Sequence, residues 1–165
     1  MKENFYRISS AYKRDCIKIQ SNVKYNTLQL INDGHILIIN NEFNLEKGKK
    51  EFDIIEFNDS ILWAFSEKVK DLIEKENCKG FDFFELKING IENKYYHLKN
   101  LYIAGPITNL KQINSYKTKF REFDIKTWNG SDLFTLKDTL LVVCTQKVKD
   151  ALEKAKITNL EILPL

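Results

Sequence analysis

The chain carries no Gly-rich phosphate loop, no HExxH, no GxSxG and no paired CxxC, so the common signatures of nucleotide, zinc and acyl-transfer chemistry are missing. Cysteine is scarce. Cys16, Cys78 and Cys144 are odd in number, widely spaced and set in apolar surroundings, which reads as reduced core residues rather than a disulfide framework or a metal site. No apolar run approaches the roughly twenty residues that span a bilayer, and the first ten residues hold no apolar signal region. These absences predict a soluble, cytoplasmic protein with no membrane contact. No charge sign dominates either: the formal net charge is +3 with 30 % charged residues, which says little about partners. The densest basic patch, Lys47, Lys49 and Lys50, fits a solvated loop or a phosphate contact.

What is present is an internal repeat. Residues 66–86 align without a gap over residues 145–165, with identities at Lys68/Lys147, Val69/Val148, Lys70/Lys149, Asp71/Asp150, Glu74/Glu153, Lys75/Lys154 and Leu86/Leu165. An apolar run precedes each copy, at 61–65 and 140–144, of a length and β-branched or aromatic content that suits a buried strand. Ser66 or Thr145 follows, where a side-chain oxygen can cap a helix N-terminus. Val69, Leu72 and Ile73 in one copy, and Val148, Ala151, Leu152 and Ala155 in the other, then form an apolar stripe at helical spacing. Gly80 and Asn159 stand where a helix stop needs positive φ, and strands resume at Phe81 and Leu160.

Three Asn/Asp-Gly dipeptides separate alternating segments, the strongest short-range hairpin signal. Asp33-Gly34 divides 27–31 from 35–39, Asn89-Gly90 divides 83–88 from 94–98, and Asn129-Gly130 divides 123–128 from 132–136. Short strands are also expected at 5–9, 16–20, 52–57 and 101–104. The fold class read from these signals is α+β: mainly antiparallel sheet with hairpins plus two repeated strand-helix-strand units. At 165 residues the chain fits a single domain, 1–165, long enough to bury a core. The polar, lysine-rich stretch 42–51 suggests a joint between an N-terminal β subdomain, 1–50, and a repeat-containing part, 52–165.

Candidate chemistry is thin. His35 and His97 fall in strand-like segments with no nearby cysteine or carboxylate. Cys144 lies next to a helix N-terminus, where thiolates are stabilised, but the repeat places Phe65 at the same position and favours packing. Asp53, Glu56, Asp59, Asp82, Glu85 and Asp124 alternate with apolar residues as the wet face of a strand does. No catalytic, cofactor-binding or metal residue is assigned, and the chain is read as a non-enzyme. Trp128, Tyr95 and Tyr96 sit beside flexible turns, as interface anchors do. Tyr95 and Tyr96 point to opposite faces, so one of the two is expected to be buried.

The Ser66-capped helix, the Gly80-Phe81-x-Phe83 strand start, the strand Tyr95 to Leu98 and the second strand-helix unit, Leu141 to Leu152, closing on Leu160 to Leu165, resemble the bacterial immunity proteins of polymorphic toxin systems, specifically the DUF-type immunity domain family first described in a myxobacterial protein. The resemblance covers residues 52–165. It implies a cytoplasmic protein that binds and silences a cognate toxin, usually encoded by a neighbouring gene, without catalysis. The alternatives are a small nucleic-acid-associated β-rich protein using Lys47, Lys49, Lys50 and exposed aromatics, and an enzyme whose carboxylates or Cys144 converge in a pocket.

Overall fold

The computed structural model describes residues 3–31, 38, 41–99, 101–110 and 121–165. In chain order it begins with β1 (Phe5–Ser10), β2 (Lys18–Ser21), β3 (Glu42–Lys47), β4 (Ile54–Phe57) and β5 (Trp63–Ser66), which runs directly into helix α1 (Glu67–Lys75). Next come β6 (Asp82–Glu85), β7 (Lys87–Asn89), β8 (Tyr95–Lys99), β9 (Tyr102–Ala104), β10 (Ile107–Leu110), β11 (Arg121–Phe123) and a 3-10 turn, Ile125–Thr127. The chain closes with β12 (Leu133–Leu136), β13 (Val142–Thr145), helix α2 (Gln146–Lys154) and β14 (Leu160–Pro164).

The class is α+β, dominated by strands. A seven-stranded sheet has the order β6-β8-β5-β4-β2-β3-β7, a five-stranded sheet the order β14-β1-β13-β12-β9, and β10 and β11 form a separate ribbon. Most neighbours are antiparallel. The pairs β2 with β4, β3 with β7 and β9 with β12 are parallel, and nothing local in the sequence announces them. Among the described residues no helix is long and apolar enough to cross a membrane.

Both helices bury the stripe their spacing predicts. Val69 and Ile73 from α1 and Val148 and Leu152 from α2 join Ile54, Phe65, Leu133 and Cys144 in one core fed by both sheets. A second core, with Ile19, Phe43, Ile55 and Tyr95, belongs to the seven-stranded sheet, and a third, with Phe134 and Val143, belongs to the five-stranded one. Each helix ends in the same bond pattern. Asn77 N donates to Glu74 O (3.0 Å) and Cys78 N to Ile73 O (3.3 Å), while Lys156 N donates to Glu153 O (3.0 Å) and Ile157 N to Leu152 O (3.3 Å). With Asn77 at φ 50° and Lys156 at φ 52°, both are Schellman stops. The helices therefore end three residues earlier than Gly80 and Asn159, which keep positive φ (99° and 58°) for another purpose, the crossing of the chain between the two halves. Ser66 and Thr145 precede the helices as expected but cap neither with their side chains. Their hydroxyls donate instead to Asp53 Oδ1 (3.0 Å) and Asp132 Oδ1 (3.2 Å).

Several local expectations are overturned by longer-range pairing. Residues 27–31 are helical, not a strand, because Asn26 and Gln29 exchange side-chain bonds with each other's backbone N–H (2.9 and 2.8 Å) and close a capping box ahead of that turn. Asp33-Gly34 and His35 lie outside the described residues, and Ile38 is helical and buried. Asn89-Gly90 closes no tight hairpin, although the segments it separates do pair antiparallel: β6 lies against β8 and Leu86 N extends that ladder to Tyr95 O (2.8 Å), after which β7 leaves to pair with β3. Asn129-Gly130 closes none either. Asp124 Oδ1 accepts from Lys126 N (3.1 Å), turning 125–127 into a 3-10 turn, and β12 pairs with β13 and β9. Strands of the first fifty residues are divided between the two sheets: β1 sits between β13 and β14, while β2 lies against β4.

Candidate partner-binding surface

Two aspartates tie the halves of the molecule together. Asp53 Oδ2 accepts from Thr158 N (2.8 Å) and Thr158 Oγ1 (2.9 Å), its Oδ1 from Ser66 Oγ, and Lys68 Nζ lies 3.3 Å away. Asp132 Oδ2 accepts from Lys79 N (2.9 Å), its Oδ1 from Thr145 Oγ1, and Lys147 Nζ lies 3.7 Å away. Burial opposes ionisation of Asp53, yet the Thr158 and Ser66 donors and Lys68 outweigh it and hold the carboxyl below its ordinary value. A depressed folded-state value means that this stabilisation is present above the unfolded pKa, about 4, and disappears as pH falls through the lower folded value. Asp53→Asn is accordingly expected to be less stable than wild type at pH 7, with the gap closing below about pH 4. Urea unfolding at a series of pH values measures this, and a gap that stays constant down to pH 2 would remove the carboxylate from the account.

The residues picked out as anchors are placed differently from expectation. Tyr95 is 2 % and Tyr96 6 % exposed, so both are buried rather than one. They do point to opposite faces, but β8 is an interior strand and its sheet is covered on both sides. Tyr95 lies in the second core with its hydroxyl on Phe52 O (2.9 Å), while Tyr96 lies under Lys70 and beside Phe83, near the start of α1. Trp128 is half-buried. Its ring meets Phe5 edge-on at 5.0 Å and its Nε1 donates to Ser131 O (2.9 Å). Tyr95 and Tyr96 are thus engaged in the interior, while Trp128 keeps part of its surface exposed.

The thiols and carboxylates considered for chemistry are likewise engaged. Burial pushes the Cys144 thiol up to about 12, and burial together with Glu56 does the same at Cys16; proximity to a helix N-terminus does not rescue the Cys144 thiolate. Asp59 accepts from Tyr25 Oη (3.0 Å) and Gln20 Nε2 (2.7 Å), Glu85 pairs with Lys94 (3.4 Å), and Asp124 caps its turn. His97 is buried in β8.

Glu56 belongs to a buried polar cluster that sequence reasoning missed. Its Oε1 accepts from Ser10 Oγ (2.6 Å) and from Asn159 Nδ2 (3.4 Å), and its Oε2 pairs with Lys18 Nζ at 2.7 Å. Asn159 Nδ2 also reaches Ile54 O (2.9 Å) and Ser10 Oγ (3.1 Å). Above the cluster lies the loop 11–17. Ala11 N donates to Asn159 O (3.0 Å), Tyr12 N to Ser10 Oγ (3.0 Å) and Lys13 N to Asn159 Oδ1 (2.9 Å). The lysine turn 48–50 locks onto it, because Lys49 N and Lys50 N donate to Asp15 O (2.9 and 2.8 Å) and Ile17 N donates to Lys50 O (3.1 Å). Gly48, at φ 89°, lies so close that a Cβ there would stand 2.2 Å from Cys16 O. The run Tyr12-Lys13-Arg14-Asp15 was a visible signal of an exposed loop; its anchors, more than a hundred residues away in the case of Asn159, were not.

No family model and no curated protein matches the chain.

Proposed function

We propose that the protein is an immunity protein, acting in the bacterial cytoplasm by stoichiometric binding of a cognate toxin encoded by a neighbouring gene. The observation that carries the reading is where the reactive side chains are. Cys16 and Cys144 are buried with raised pKa values, and Asp53, Glu56 and Asp132 are held in hydrogen bonds that join the two sheets, whereas loops presenting Tyr, Arg and Lys are outward and fixed in place. Such a division suits a rigid binder, whose specificity resides in surface complementarity.

The proposal includes the repeat: residues 66–86 and 145–165, with the strand before each, are two copies of one strand-helix-strand unit. In support, both helices have nine residues and the same stop. The pairs Ile54/Phe65, Ile55/Ala64 and Glu56/Trp63 in one sheet have the counterparts Leu133/Cys144, Phe134/Val143 and Thr135/Val142 in the other. The register of β8 on β6 and β5 is matched by that of β1 on β14 and β13, with Tyr96 and Tyr6 in corresponding places. Lys70 lies 5.5 Å over the Tyr96 ring and Lys149 5.3 Å over that of Tyr6.

Co-expression with the neighbouring gene decides the function. Growth should be rescued in proportion to the amount of this protein, and the pair should copurify at one-to-one stoichiometry. Rescue by catalytic amounts, lost on changing one carboxylate or Cys144, would replace the binder by an enzyme.

A further inference from the structure

We infer that the loop 11–17 and the lysine turn 48–50 together form the docking surface, and that the partner meets them with an acidic protein surface. The inference rests on the binding function proposed above. Tyr12, Lys13, Arg14, Lys49 and Lys50 are all exposed, as is Lys47 at the end of β3 just before the turn, and the two loops are bonded backbone to backbone through Asp15 and Ile17. Five cations from two separate parts of the sequence thus share one rigid patch.

Tyr12 is the second observation. It is 59 % exposed and holds φ 53°, a left-handed conformation that costs a bulky residue free energy unless its surroundings impose it. They do: the amides of residues 11, 12 and 13 are bonded to Asn159 and Ser10. Lys18, tethered to Glu56, places its Nζ 5.8 Å from the Tyr12 ring centroid. Glu56 is 2 % exposed, and a buried carboxylate is retained at a cost in desolvation. Here it underpins a loop whose residues 11–15 are exposed and whose apolar anchors, Cys16 and Ile17, come only at its end.

The fold itself does not require that loop. Between β8 and β9 the chain needs only residues 100 and 101, whereas between β1 and β2, which pair with their sheets in the corresponding way, it takes residues 11–17. At the positions matching Glu56 and Asn159 in the other half stand Thr135 and Gly80. The longer loop and its buried anchor therefore occur together and on one side of the molecule.

Composition selects the partner. Tyr and Arg are the residues that dominate binding energy at protein interfaces, and a positive patch steers association with an acidic surface. Asp15, Glu46 and Glu51 are exposed among the cations, an interleaving that fits a mixed protein surface and opposes a continuous phosphate backbone.

The test uses the full-length protein, the purified product of the adjacent gene, and a single-stranded 20-mer oligonucleotide as second probe, titrated by fluorescence anisotropy between 50 and 300 mM NaCl. Arg14→Glu/Lys49→Glu/Lys50→Glu should bind the adjacent product at least about 100-fold more weakly than wild type and lose most of the salt dependence. Tyr12→Ala should weaken it about tenfold, with circular dichroism unchanged in both variants. Wild-type affinity in the triple variant would overturn the docking surface while leaving the binding function standing. Tighter binding of the oligonucleotide than of the protein, abolished in the triple variant, would overturn the partner class. Failure of the wild-type protein to bind the adjacent product would overturn both proposals together.

Discussion

Gly80→Ala should lower the free energy of unfolding by about 2–5 kcal/mol, from overpacking of about 1–3 kcal/mol and a left-handed backbone penalty of about 1–2 kcal/mol. Gly80 lies where the chain leaves α1 and crosses to the other half. Lys79 O accepts from Asp132 N (2.8 Å) and Leu133 N (3.2 Å), and Gly80 O accepts from Tyr102 N (3.1 Å). A Cβ at this φ of 99° would stand 2.3 Å from Ser131 Cβ and 2.6 Å from Leu133 O. The second of these atoms is backbone within the paired region, so relief requires the bond system around Asp132 to shift. Urea titration measures the loss as a lower midpoint at unchanged slope. A change within about half a kcal/mol would mean that the crossing is pliable and that Asp132 does not fix it.

Leu152→Ala should cost about 2–5 kcal/mol, the range for a fully buried leucine whose cavity cannot collapse. Leu152 is buried in the core where α1 and α2 meet both sheets. Strands on either side are bonded in place, which limits relaxation into the space. Ile73→Ala in α1 should cost a similar amount, and the double variant should depart from additivity because the two side chains share one core. Additive losses would place the residues in separate compartments, and a loss near zero would put the α2 stripe on the surface.

How far the sequence could be read depended on the range of the interaction. The stripes Val69-Ile73 and Val148-Leu152 repeat within two turns of helix, so their burial was legible. So was the strand-to-helix junction at Ser66 and Thr145, although the carboxylates that engage those hydroxyls, on Asp53 and Asp132, lie outside the local window. Asn89-Gly90 does separate two segments that pair antiparallel, β6 and β8, but the pairing of β7 with β3 lengthens their connection, and at Asn129-Gly130 the pairing of β12 with β13 and β9 decides where the strand goes. Alternation gave Tyr95 and Tyr96 opposite faces correctly; it could not say that a second core covers the other face of β8. The candidate surface failed for the same reason. Tyr12 and Arg14 look like ordinary loop residues until Asn159 and Glu56 are brought beneath them.

Of the described strands β1 is made before any other, and both strands that flank it, β13 and β14, are made last. A nascent chain therefore holds a six-residue segment, Phe5–Ser10, with no strand to pair with until nearly every other element has been made. The seven-stranded sheet can assemble during synthesis from contiguous elements, but the five-stranded one must close by a long-range search, the kind of contact that slows folding. During that interval the exposed segment is open to chaperones and to pairing with another nascent copy. Moving β1 behind β14 by circular permutation would shorten the wait and give a chain that folds faster with the same final sheet.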